Sequence, residues 1–228
     1  MSNKVLLLGE VTAEHTLVLL LADMRKLTKA DAELKLGKWD RKSNQLVQAF
    51  GQKVGIVGLG RIGRYVAQLL NAIGMQVYAY DPMAPNYHFI RSRVARVESL
   101  DELISSLNYL SINTPRDTTT MNMINSDHID KLAKPNGIVN TGRGGIVNGD
   151  VIIEALKLGA LDFYGTDVFN SEPNPNPELI RQNVIATPHT AANSAAAQHQ
   201  VALDIIMQLQ EVLQSNAPPS YLVNSSHL

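Results

Sequence analysis

From residue 53 onward the apolar positions fall into short runs separated by stretches of helical spacing. KVGIV at 53–57 predicts a buried strand. Over 61–73, Ile62, Val66, Leu69, Leu70 and Ile73 share one helical face, and Gly74 follows as a stop. QVYAY at 76–80 predicts the next strand. Ser99 and Glu102 have capping-box spacing at the start of a helix over 100–107. Strand is expected at 108–112, helix at 126–133, strand at 137–140 and helix at 150–158, the last ended by Gly159. Strands follow at 163–168 and 183–187, then a long helix over 191–213 that Pro218 and Pro219 cannot continue.

Ahead of residue 53 the reading is simpler. KVLLL at 4–8 predicts a short buried strand. A helix follows from Thr12, as N-cap, to about Leu27. A second helix is expected over 28–36, with Thr28 and Asp31 as a capping box and Gly37 as its stop. Six strands alternating with helices between 53 and 187 predict an α/β fold, a doubly wound parallel sheet.

Composition narrows the function classes. The 228 residues carry 20 Lys and Arg against 21 Asp and Glu, a net charge of −1, which argues against a phosphate-neutralising nucleic-acid binder. There is no cysteine, so disulfides and thiolate-held zinc are excluded, and a reducing cytoplasm is compatible. The longest apolar run near the start, 17–22, is six residues, far short of the about 20 that span a bilayer. Gly9 and Glu10 interrupt the run after Lys4, so a mature, cytoplasmic protein is expected rather than one with a signal peptide. His15, on the first helix, reads as a packed or interface histidine. His88, His128, His199 and His227 lack metal spacing, so no metal site is expected.

Gly58-Leu59-Gly60-Arg61-Ile62-Gly63 is G-x-G-x-x-G between a predicted strand and a predicted helix, the context that gives the motif meaning. Gly58 permits the tight turn, Gly60 lets backbone approach a pyrophosphate, and Gly63 lets helix pack on strand. The helix N-terminus then presents N–H groups to phosphate. Asp81 lies 18 residues beyond Gly63, where a carboxylate accepts from ribose hydroxyls and repels a 2′-phosphate. With no adjacent arginine, NAD is favoured over NADP.

Ligands of such sheets sit beyond the C-terminal strand ends. Those ends carry Asn113-Thr114-Pro115, Thr141-Gly142-Arg143, Glu172 in the loop after 163–168, and Pro188-His189. One Arg, one Glu and one His on a common rim suit hydride exchange with a 2-keto acid. Histidine supplies the proton, a carboxylate orients it, and an arginine fork takes the substrate carboxylate. Asp167 sits within an apolar strand, either as a buried capping group or as a contact to the nicotinamide end.

These segments are AEHT (13–16), VGLGRIGR (57–64), YDP (80–82), INTP (112–115), NTGRGGIV (140–147), TDVFNSEP (166–173) and ATPHTAA (186–192). In that order they resemble the NAD-binding part of the D-isomer-specific 2-hydroxyacid dehydrogenases, over residues 13–223. The resemblance implies Arg143 as substrate binder, Glu172 as partner of the histidine, and His189 as proton donor in reduction. It adds Arg61, Ile62, Asp81, Thr114, Gly142, Asp167 and Ala191 as cofactor contacts. With the motif glycines and the strand ends, the candidate cofactor set is Gly58, Gly60, Arg61, Ile62, Gly63, Asp81, Asn113, Thr114, Pro115, Thr141, Gly142, Arg143, Asp167, His189, Ala191 and Ala192.

Family members carry a substrate domain ahead of the AEHT helix, whereas only about ten residues precede it here, so roughly 100 residues are expected to be missing. The resemblance divides the chain into 1–45, a remnant of that domain with dimerisation helices; 46–192, the NAD-binding domain; and 193–228, a helix and tail packing back. Four residues separate Pro135 from Asn140 where the family has about five, which bears on strand register before Arg143. Leu17, Val18, Leu20, Leu21 and Met24 need cover from the core, from a partner chain or from both, and a homodimer through the 12–36 helices is expected. Two readings follow: an NAD-dependent oxidoreductase acting on a small 2-hydroxy or 2-keto acid, and a catalytically weak dinucleotide-binding module with a regulatory or scaffolding role.

Overall fold

The computed structural model describes residues 6–41, 46–105, 107–180 and 183–215. Its sheet comprises β1 (Lys53–Val57), β2 (Gln76–Tyr80), β3 (Ala95–Arg96), β4 (Tyr109–Ile112), β5 (Gly137–Asn140), β6 (Tyr164–Thr166) and β7 (Val184–Ala186). All neighbours pair in parallel, in the order β3-β2-β1-β4-β5-β6-β7. This is the doubly wound arrangement the sequence predicts, with one strand more than expected. The extra strand, β3, has two exposed residues and leaves no apolar run to read. The winding reverses between β1 and β4, which opens a crevice at the C-terminal ends of those strands.

A parallel sheet needs apolar cover on both faces. Alternate strand residues supply two cores. Val54, Ile56, Tyr109, Val139 and Phe163 pack with Leu19, Leu20 and Met24 of α1 (Leu6–Met24), Val66 and Leu70 of α3 (Arg61–Ala72), and Phe89 of α4 (Asn86–Ser92). Val57, Leu110, Ile112, Ile138 and Tyr164 face α5 (Leu100–Ser105), α6 (Ser126–Ile129) and α7 (Gly149–Lys157). The remaining helices are α2 (Leu27–Lys35), α8 (Pro177–Ile180) and α9 (Ala195–Ser215).

The largest departure from the sequence pattern is α1. Residues 6–8, expected in a strand, begin a helix that runs unbroken to Met24; residues 4 and 5 lie outside the described residues. Thr12 is not an N-cap but an interior residue whose Oγ1 donates to the Leu8 carbonyl at 2.8 Å, and Thr16 repeats the contact onto Thr12. A short apolar run fits strand and buried helix equally, and from Leu6 on it is the start of α1, a helix that packs against α3. Gly9 sits at that crossing, where a Cβ would lie 3.5 Å from Arg61 and Tyr65 side chains.

Smaller corrections concern element ends. The first helix stops before Leu27 because Lys26 turns left-handed (φ 49°), its ammonium 2.6 Å from Asp23. The Thr28–Asp31 box does not form; Asp31 instead pairs with Lys35 one turn on, at 2.6 Å. Ser99 accepts the Glu102 N–H, but Glu102 reaches the Glu98 N–H, so only half of that box forms. The helix expected over 126–133 ends at Ile129 and is opened by an unanticipated box between Asn125 and His128. α9 starts at Ala195, not 191, with Ser194 Oγ accepting the Ala197 N–H at 3.1 Å. Register between β4 and β5 runs unbroken from Tyr109↔Gly137 to Ile112↔Asn140, so the short spacing after Pro135 leaves it intact. Pro218, Pro219 and His227 lie outside the described residues. Among the described residues no helix is long and apolar enough to cross a membrane.

Candidate active site

The glycine loop between β1 and α3 is fixed by close backbone contacts. Gly58 takes φ 90°, and a Cβ on it would meet the Thr114 nitrogen at 2.9 Å. A Cβ on Gly63 would lie 2.0 Å from the Gly58 carbonyl oxygen, so any side chain there forces α3 off β1. Gly60, by contrast, faces open space and is the N-cap of α3 with no side chain capping the first turn. The helix therefore presents its N–H groups and positive end outward, as an anion site requires.

That end opens on a cleft of ≈ 440 Å³. Gly60, Arg61 and Ile62 form one wall, Asn113, Pro115 and Thr141 the middle, and Arg143, Asp167, His189, Ala191 and Ala192 the far side. Leu8, Gly9 and Thr12 of α1 also line it, which the sequence pattern missed by placing Leu8 in a strand. Asn113 leaves a buried Oδ1 acceptor without a partner while its Nδ2 donates to Ser111. Of the other predicted residues, Gly58 and Gly63 underlie the loop. Gly142 abuts Thr114, whose carbonyl oxygen would be 2.9 Å from a Cβ on Gly142. Asp81, at the end of β2, accepts the Leu59 N–H at 2.7 Å and the Met83 and Ala84 N–H groups at 2.9 and 3.0 Å, tying the glycine loop to β2. Open glycine backbone, an uncapped helix start, an orphaned acceptor and a carboxylate beyond β2 together fit a dinucleotide.

A second cleft, ≈ 460 Å³, adjoins the first through Pro115, Arg143 and His189 and adds Arg116, Gly144, Phe169, Asn170 and Glu172. His189 Nδ1 lies 2.7 Å from Glu172 Oε2. Glu172 Oε1 accepts the Phe169 N–H at 2.8 Å, so the carboxylate is held at both oxygens. Burial pushes the Glu172 carboxyl up, but the bonds from His189 and Phe169 and the charges of His189 and Arg143 outweigh it, leaving it below the ordinary range. Arg143 Nη1 rests on the Gly142 carbonyl at 2.7 Å. Buried Asn140 shapes that loop, donating to the Arg143 carbonyl and accepting the Gly142 N–H. A Cβ on Gly144 would be 2.0 Å from the Phe169 oxygen, so glycine alone lets the Arg143 loop meet the Glu172 loop.

His189 is itself left-handed (φ 54°), a costly conformation for a non-glycine residue. Its N–H donates to the Asp167 and Thr187 carbonyls at 2.9 and 3.0 Å. The buried Asp167 carboxylate accepts the Thr187 hydroxyl at 2.6 Å and the Thr190 and Ala191 N–H groups at 2.8 Å each. Asp167 thus caps the turn that carries the histidine. Because the Thr187 hydroxyl donates its hydrogen to Asp167, His15 Nε2, 2.8 Å from Thr187 Oγ1, is the donor to that hydroxyl. Thr16 joins α1 to Thr141 at 2.7 Å. No local signal pairs His15 with Thr187, 172 positions away.

The chain is similar to known proteins over most of its length. The family description "D-isomer specific 2-hydroxyacid dehydrogenase, NAD binding domain" matches residues 17–191. The D-3-phosphoglycerate dehydrogenase of Methanocaldococcus jannaschii is 36% identical over 202 residues, covering 88% of this chain and 38% of its own. The hydroxypyruvate reductase of Thermotoga maritima is 34% identical over 202 residues, covering 86% and 64%. Among solved structures, the pyruvate reductase of Chlamydomonas reinhardtii superposes with a TM-score of 0.85 at 27% identity, over 93% of this chain and 68% of that one. The chain spans 38% of the length of the first of these relatives.

Proposed function

Because the chain belongs to the D-isomer-specific 2-hydroxyacid dehydrogenase family and matches its NAD-binding domain, we propose that it takes part in hydride transfer between NAD(H) and a small 2-hydroxy or 2-keto acid. The observation that carries this reading is the His189–Glu172 contact of 2.7 Å in a cleft that shares Arg143 with the dinucleotide cleft. Bound NAD(H) supplies or accepts the hydride. The chain's own groups do the rest. The first turn of α3 and Gly60 hold the pyrophosphate, and Asp81 the adenosine ribose. Arg143 grips the substrate carboxylate and polarises the carbonyl. His189, with Nδ1 fixed by Glu172, has Nε2 to give a proton to the carbonyl oxygen in reduction and to take it back in oxidation.

The test is NADH oxidation at 340 nm with pyruvate, glyoxylate and hydroxypyruvate, using Arg143→Ala and His189→Gln as controls. Oxidation that both variants abolish supports the reading, and oxidation indifferent to both refutes it. One observation favours the second reading, a binding module without turnover. The His189 and Glu172 side chains are 49% and 35% exposed, whereas proton and hydride transfer need water kept out. NADH binding with no oxidation of any panel member would establish that reading instead.

The proposal extends to a homodimer through the 12–36 helices in a cytoplasmic setting, and to the division of the chain at residues 45 and 192. Leu20 and Met24 are buried on the chain's own sheet, but Val18, Leu27, Leu34 and Leu36 remain exposed. Light scattering should give twice the 24.9 kDa chain mass, and Leu34→Glu should return a monomer. A monomer before mutation removes the dimer.

A further inference from the structure

Arg116 follows Pro115 just past β4 and lines the same cleft as Arg143, Glu172 and His189. Its Nη1 donates to the Gly144 carbonyl at 3.2 Å, and its Cδ and Nη1 lie 3.4 Å from where a Cβ on Gly145 would stand. The exposed side chain is therefore laid along the Arg143 loop at the rim of the cleft. Its neighbour Asp117 is engaged elsewhere, accepting from Thr119 and Thr120. Glu172, the one acidic side chain lining the cleft among the described residues, is bound to His189. The described cleft thus carries two guanidinium groups, and that carboxylate answers an imidazole. One arginine fork satisfies one substrate carboxylate. The second leaves cationic donors that a simple 2-keto monoacid cannot use.

We propose that Arg116 reads a second anionic group, so that the substrate is a 2-hydroxy or 2-keto acid bearing a further carboxylate or phosphate ester. This rests on the dehydrogenase reading above, with Arg143 taking the carboxylate beside the reacting carbon. Arg116 does not touch the reacting carbon and sets selectivity among substrates. A charge-assisted hydrogen bond of this kind corresponds to about 10- to 100-fold in affinity.

The experiment compares pyruvate, oxaloacetate and 3-phosphohydroxypyruvate as oxidants of NADH with the wild-type chain, Arg116→Gln and Arg116→Lys. Where turnover is slow, the same affinities are read by calorimetry on the NADH-loaded protein. Expected is at least about tenfold tighter use of one dianion than of pyruvate, a ratio that falls to about one in R116Q and partly returns in R116K. Whether oxaloacetate or the phosphate ester gains the advantage identifies the second group. If R116Q weakens all three ligands equally, Arg116 only props the Gly144 loop and the proposal is overturned. If the wild-type chain prefers pyruvate, it is also overturned while the dehydrogenase reading stands. If none of the three is reduced or bound while NADH binds, both readings fail together.

Discussion

Replacing Thr187 with valine keeps the side chain's shape and removes one hydroxyl from the network beneath His189. That hydroxyl donates to buried Asp167 at 2.6 Å and meets His15 at 2.8 Å. Hydrogen bonds to a charged group contribute about 1.5–3 kcal/mol. Thr187 is half-buried, so water recovers part of the loss, and a cost near the low end, about 1.5–2 kcal/mol, is expected. For a chain of this length each kcal/mol moves Tm by about 2–4 °C, so T187V should melt about 3–8 °C lower. Thr187→Ser keeps the hydroxyl and loses one methyl, about 0.8 kcal/mol or less. The damage should extend to the turn at His189, because the Asp167 that loses a donor also holds the Thr190 and Ala191 N–H groups. NADH affinity should then change less than turnover. Urea unfolding followed by circular dichroism gives the stabilities, and a His15→Phe/T187V pair should lose less than the sum of the singles. Stability of T187V within about 0.5 kcal/mol of wild type, or T187S as weak as T187V, would refute the network.

Other perturbations test separate parts of the site. Gly63→Ala places a carbon 2.0 Å from the Gly58 oxygen, so it should cost about 1–3 kcal/mol of overpacking and remove most NADH binding in a fluorescence titration. Glu172 titrates below the ordinary carboxylate range in the folded chain. Its contact with His189 therefore contributes at pH values above the unfolded carboxylate pKa and is lost only as pH falls through the lowered folded value. In a carbon-13 NMR titration His189→Gln should bring the Glu172 transition back up; no movement would mean that the histidine does not hold it. Asn148 caps α7 by accepting the Asp150 and Val151 N–H groups, so Asn148→Ala should cost about 1 kcal/mol in urea unfolding.

The parts of this fold that could be read from sequence are those whose cause is local. The β1–α3–β2 unit carries short apolar strand runs, a helical stripe from Ile62 to Ile73 and, at Gly58 and Gly63, glycines whose contacts admit nothing larger. Strand ends then place Arg143, Glu172 and His189 on one rim, because parallel strands all finish on the same side. What was not legible depends on distant partners. The run at 4–8 fits two structures equally, and its described part, from Leu6, is helix. α4 shows little pattern because few of its residues are buried. Thr187 and His15 are unremarkable separately and meet only once α1 lies across the sheet. Arg116 reads as a loop residue until the Gly144 carbonyl draws it into the cleft.

Central to the proposal is that the cleft shared by Arg143 and His189 would bring a 2-keto carbon within reach of both NADH and the histidine. Its most direct test is to supply NADH deuterated at the nicotinamide C4 hydride position with the preferred 2-keto acid and to locate the label in the product by NMR. The account predicts deuterium at C2 of a D-2-hydroxy acid with wild type and no labelled product with His189→Gln. Labelled product formed equally well by the variant, or C2 hydrogen drawn from solvent, would contradict it.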